Sequence, residues 1–128
     1  MAGHGTFYWN ELLTRDVARA MDFYAKTLGW SFNSMPMGEM GDYHVAMMGE
    51  TMVGGLMQIG GPDFEGVPDH WLSYVAVDDL DKRLALLTQA GGTVVRPPFV
   101  VEGVGRIAVV SIPGGAVQGW IVPAANPM

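Results

Sequence analysis

The chain has 128 residues, no cysteine and a formal charge of −6, with 49% hydrophobic and 16% charged residues. That balance describes one globular domain, spanning 1–128, with a core of its own. It excludes a disulfide frame, a thiolate nucleophile and a zinc–sulfur site, and without a basic stripe no nucleic-acid partner is expected. "MAGHG" has no positive leader region and no apolar run approaches about 18 residues, so a cytoplasmic protein with no membrane partner is expected.

The first predicted element is the alternating run "FYWNELLT" from Phe7, which leads into Asp16. An Asp there caps a helix by accepting orphan backbone N–H bonds. Val17, Ala20, Met21, Tyr24 and Leu28 then recur at helical spacing, and Gly29 ends the run. Strands follow at 30–37, 43–48 and 51–59, the last two joined by the turn "MGET". A turn-rich linker, "GGPDFEGVPD", covers 60–69.

The pattern then repeats. His70 opens a strand, Asp79 caps a helix carrying Leu80, Leu84 and Leu87, and Gly91-Gly92 stops it. Asp79 lies 63 positions after Asp16, and three strands follow again, at 93–101, 106–112 and 116–122. "RPPF" at 96–99 is incompatible with a central strand, because Pro lacks the ladder donor, so it belongs to an edge or a loop. The fold class is therefore α+β, with module one at 5–60 and module two at 69–123. These are two tandem βαβββ modules expected to form paired curved mixed sheets around a cleft.

The segments "ELLTRDVARAMDFYAKTLGW", "HWLSYVAVDDLDKRLALLTQAGG" and "GRIAVVSIPGGA", with the strand "VGGLM", cover most of the chain. On them it resembles the vicinal-oxygen-chelate superfamily, which includes glyoxalase I, bleomycin-resistance proteins and extradiol dioxygenases, and more narrowly the glyoxalase-like subgroup. The resemblance implies a U-shaped cleft, with metal ligands on the first and last strands of each half in the metal-dependent members. Those positions fall here on Trp9, Gly55, Leu72 and Gly119. A divalent ion needs nitrogen or oxygen donors at about 2.0–2.6 Å, and these side chains have none. No cofactor is expected, a divalent metal being the alternative.

Among chemistry-bearing residues, alternation puts Phe7, Trp9 and Glu11 on one strand face. A carboxylate among apolar groups has a raised pKa unless it is paired, which makes Glu11 a candidate acid–base residue. The reading against it is a structural ion pair. Tyr74, sharing a face with His70 and Leu72, is the second catalytic candidate or else a packing residue. Candidate ligand contacts are Trp9, His44, Met57, His70, Leu72, Arg106 and Trp120, with Arg106 able to fork a carboxylate or phosphate. The facing of His44 is ambiguous next to Tyr43, and His4 reads as a solvated tail residue. Met35, Met37, Met40, Met47, Met48, Met52 and Met57 line either a cup or an ordinary core.

The function expected is binding of a small, largely apolar or aromatic molecule in the inter-module cleft, without a metal. The protein would sequester that molecule or act on it as an acid–base lyase or isomerase. The alternatives are a divalent-metal lyase, isomerase or dioxygenase using His44, His70 and Glu11, or a structural module with a closed cleft. Phe7, Tyr8 and Trp9 in series imply that both faces of the first strand are covered, in keeping with a homodimer. The identity of the ligand, and whether catalysis occurs, are not encoded in any motif.

Overall fold

A computed structural model describes residues 3–38 and 41–124. The element order is strand β1 (Phe7–Thr14), helix α1 (Val17–Leu28), then strands β2 (Ser31–Pro36), β3 (Asp42–Met48) and β4 (Thr51–Gln58). After a short 3-10 turn at Pro62–Phe64 come β5 (His70–Ala76), α2 (Leu80–Gln89), β6 (Thr93–Val101), β7 (Gly105–Ser111) and β8 (Val117–Pro123). The chain is therefore α+β, with the β-α-β-β-β order occurring twice.

Both helices start and stop by the capping chemistry read from the sequence. Asp16 accepts from the Arg19 N–H and Asp79 from the Lys82 N–H, each at 3.1 Å. Gly29 ends α1 in the left-handed conformation at φ 77°, which strains any residue with a side chain.

Two compact units divide the chain: residues 10–72 form one, and residues 1–9 with 73–128 the other. β1 and β5 each cross this division. In the first unit the strand order is β2-β3-β4-β1, antiparallel except for the parallel β1/β4 pair, in which Glu11 faces Gly55 and Leu13 faces Met57. In the second the order is β5-β8-β7-β6, with β5/β8 parallel and Tyr74 opposite Gly119. "RPPF" lies in β6, the edge strand of that order, with register shifts on both sides of Arg96. An edge tolerates the missing Pro donors.

Each unit has its own core between helix and sheet. Under α1, Leu12, Ala46 and Leu56 pack with Val17, Ala20, Met21 and Tyr24. Under α2, Leu80, Leu84 and Leu87 pack on Ala108 and Val110, with Trp120 and Val122 alongside. Strand alternation then fixes the opposite faces, which bear Glu11, Leu13, Gly55 and Met57 in the first unit and Tyr74 and Gly119 in the second.

Some expected placements differ. His4 is exposed, as expected, but it is also tied down: its Nδ1 accepts the Asp78 N–H at 3.1 Å. Met35, Met48 and Met52 are exposed rather than lining a cup, and Met40 lies outside the described residues. Within the single chain Phe7 is 71% exposed, while Tyr8 and Trp9 are half-buried. No helix among the described residues is long and apolar enough to cross a membrane.

Candidate functional site

The chemistry of the first unit gathers on the face opposite α1. Glu11 sits mid-strand on β1, and the Tyr43 hydroxyl on β3 donates to its Oε2 at 3.0 Å. Tyr43 crosses the intervening strand β4 to make this bond. It can do so because Gly55 lies between them: a Cβ at Gly55 would fall inside the Tyr43 hydroxyl and ring. A glycine within a strand commonly marks such a close approach. Glu11 is thus a hydrogen-bonded carboxylate rather than an isolated one. Met57, opposite Leu13 in register, shares this face.

The second unit carries a similar seat. Tyr74 is 8% exposed, and its ring lies where a Cβ at Gly119 would project, with Cε1 2.6 Å and Cγ 3.2 Å from that position. In both units a glycine on the last strand accommodates a tyrosine ring. Both glycines are positions onto which the resemblance carries a metal ligand.

The other candidate residues are placed as follows. His44 is opposite Leu56 in register and so shares the α1 face of the sheet, away from Glu11, with Nδ1 2.6 Å from the Ser34 hydroxyl. His70 Nδ1 is 2.8 Å from the Pro68 carbonyl oxygen. Leu72 is buried and Trp9 half-buried. Arg106 lies in line with Ala108 and Val110 on the α2 side, where its two terminal nitrogens each donate to Asp81 at 3.1 Å. Trp120 packs under α2 and donates to the Gln118 side chain at 2.9 Å. Arg106 and Trp120 therefore lie on the face of their sheet away from Tyr74. Tyr43 went unnamed as a site residue in the sequence, although Gly55 was the signal that could have found it.

A second feature of the first unit is a concavity of about 400 Å³ on the α1 side, floored by Leu12 and Ala20 and edged by Arg19, Phe23, Tyr24 and Asp69. The Thr14 hydroxyl donates to Asp69 at 2.7 Å, and Arg15 pairs with the same carboxylate at 3.2 Å. The Thr14 hydrogen bond is the main reason Asp69 is held below the ordinary carboxylate range; burial opposes it as the next largest effect, and Arg15 adds to the lowering through its backbone N–H and its guanidinium.

The residues do not fit the metal of the fold family. Trp9, Gly55, Leu72 and Gly119 offer no side-chain donor, and two of these positions are filled by phenol rings. Glu11 and His44 lie on opposite sheet faces, so the alternative set of Glu11, His44 and His70 does not converge. Among the described residues no three His, Cys, Asp or Glu side chains are grouped so as to hold an ion.

Comparison with known proteins agrees with this architecture. Residues 6–116 match the model of the Glyoxalase/Bleomycin resistance protein/Dioxygenase superfamily. The chain belongs to that superfamily. It is 42% identical over 120 residues to a Mycobacterium tuberculosis protein named "Putative glyoxylase CFP32", covering 94% of this chain and 45% of that protein. It is 33% identical over 119 residues to the anthracycline biosynthesis protein DnrV of Streptomyces peucetius, covering 84% of this chain and 43% of that protein. The chain thus spans less than half the length of these relatives. Among solved structures, methylmalonyl-CoA epimerase from Mycobacterium tuberculosis shares the fold at a TM-score of 0.65 and 16% identity, over 97% of this chain and 93% of that one.

Proposed function

We propose that this chain binds a small, largely apolar or aromatic molecule against the sheet face that bears Glu11, Tyr43 and Met57, and does so without a metal ion. The observation that carries the reading is the carboxylate–phenol pair. Tyr43 donates to one oxygen of Glu11 at 3.0 Å, which fixes the orientation of the carboxylate on the sheet face where the molecule would lie. Bound molecules are then either sequestered or deprotonated by Glu11, with the proton returned by the same group, as in a lyase or isomerase. The relative named for anthracycline biosynthesis supports an aromatic ligand, since anthracyclines are polycyclic aromatics.

A thermal-shift screen of flat aromatic and carbonyl compounds, run with chelator and with added divalent metal, tests the reading. Hits that stabilise the protein equally under both conditions are expected. Stabilisation that appears only with metal would overturn the metal-free part. Glu11→Gln and Tyr43→Phe are expected to weaken binding of a hit by about 1 kcal/mol or more each, as loss of a hydrogen bond to a charged group does. Unchanged affinity and turnover in both variants would remove the pair from the site.

A further inference from the structure

We propose that the second unit binds a small aromatic carboxylate, gripped by Arg96, on the sheet face opposite α2. The register sets four residues in one row across this face, one from each strand. Tyr74 of β5 lies opposite Gly119 of β8, Gly119 opposite Val109 of β7, and Val109 opposite Arg96 of β6. Directly paired residues share a face. Arg96 therefore lies on the side of Tyr74, away from Ala108, Val110 and α2.

The first unit contains the same row. Glu11, Gly55, Val45 and Asn33 follow one another across β1, β4, β3 and β2. Each stands 63 or 64 positions before its counterpart in the second unit. The central glycine and valine are the same in both rows, and only the ends differ. Glu11 and Asn33 flank the first, Tyr74 and Arg96 the second. The repeat thus carries a carboxylate in one row and a guanidinium in the other, which makes the second row the one suited to an anion.

Arg96 is held ready for such a ligand. Its guanidinium carbon lies 3.7 Å from the centre of the Phe99 ring, and Phe99 pairs with Ile107 on the same face. Pro97 and Pro98 join the two residues, and their fixed φ stiffens the link. Among the described residues Arg96 has no ion pair, whereas Arg15, Arg83 and Arg106 each hold an Asp. A guanidinium resting on a ring keeps its forked N–H donors for a carboxylate. One guanidinium balances one negative charge. On a chain of charge −6 that favours a carboxylate over a phosphate ester carrying nearly two.

The floor of the row sets the size of the ligand's body. Neighbouring strands lie about 4.8 Å apart, so β8 and β6 are separated by about 10 Å across β7. The Tyr74 ring lies over Gly119 at the β8 end. Half-buried Val109 is the apolar floor between that ring and Arg96. A one- or two-ring aromatic acid spans this gap, with its carboxylate on Arg96 and its far edge against Tyr74. Every residue involved belongs to the second unit, so this site stands whether or not Glu11 and Tyr43 bind anything.

Calorimetric titration with naphthoate, naphthamide, naphthyl phosphate and acetate tests the site. Naphthoate should bind saturably and the other three at least about tenfold more weakly, each lacking the charge, the single charge or the rings. Arg96→Gln should weaken naphthoate at least about tenfold, the effect of losing hydrogen bonds to a charged group. Arg96→Lys should not restore the affinity, because an ammonium neither forks nor stacks. Lys82→Gln, which removes the same charge from the exposed side of α2, should leave it unchanged. No saturable naphthoate binding would overturn the proposal, as would amide, phosphate ester or acetate binding as tightly as naphthoate. So would full affinity in Arg96→Gln, which is what binding at the Glu11 face alone predicts, or an equal loss in Lys82→Gln.

Discussion

Gly55 offers the sharpest test of the candidate site. In Gly55→Ala the new methyl falls inside the Tyr43 hydroxyl and lies 2.8 Å from the ring carbon Cε2. The backbone has little room to yield, because Gly55 is paired with Val45 on one side and Glu11 on the other. Tyr43 must lift, giving up its bond to Glu11 and its ring contact with the sheet. Overpacking of this kind costs about 1–3 kcal/mol. Since the half-buried ring can swing toward solvent, about 2 kcal/mol is the expected loss, or a fall of roughly 7 °C in Tm for a chain of this length. The assay is urea denaturation of Gly55→Ala, Tyr43→Ala and the double variant. In the Tyr43→Ala background the alanine should cost less than about 0.5 kcal/mol, because the clash is gone and glycine itself disfavours a strand. Gly60→Ala, with nothing within 4 Å of its Cβ position, is the control. A penalty that persists without the Tyr43 ring would refute the argument.

Two further outcomes are expected. Leu56→Ala, at a fully buried residue under α1, should cost about 2–5 kcal/mol in the same assay, the range for a cavity left by a large-to-small change. Asp78 receives two hydrogen bonds from Arg83, at 2.8 and 2.9 Å, which are the chief cause of its carboxyl being held far below the usual range. A depressed folded-state pKa contributes stability above the unfolded value near 3.8 and loses it as the pH falls toward the folded one. The Tm gap between wild type and Arg83→Gln should therefore be widest above about pH 5 and shrink below pH 4; a constant gap would show that the pair is not linked to titration.

Much of this architecture was legible because it is local. Asp16 and Asp79 cap their helices, Gly29 ends α1, and "MGET" joins β3 to β4, each decided by residues within one turn of chain. "RPPF" reached an edge for the same reason, since a missing donor is a property of the residue itself. The site was harder to read. Arg106 and Trp120 were grouped with Tyr74, yet Trp120 follows Gly119 by one position and so faces the other way, and Arg106 shares the side of Ala108. A single-residue step flips a strand side chain across the sheet. The Tyr43–Glu11 bond spans 32 positions and depends on the β3/β4 register, which no local pattern encodes. Gly55 was singled out only for the donor it lacks; the structure shows the space it leaves for a ring.

The parallel pairing of β1 with β4 carries a consequence for how the molecule is made. β2, β3 and β4 follow one another in antiparallel succession, so they can assemble from neighbouring chain, whereas Glu11 must wait for Gly55 to be synthesised before its strand has a partner. Loop closure of that length is slow compared with turn formation. The carboxylate–phenol contact thus depends on this long-range pairing as well as on the local β3/β4 hairpin. A molecule that misassembles early lacks its chemical equipment as well as its shape.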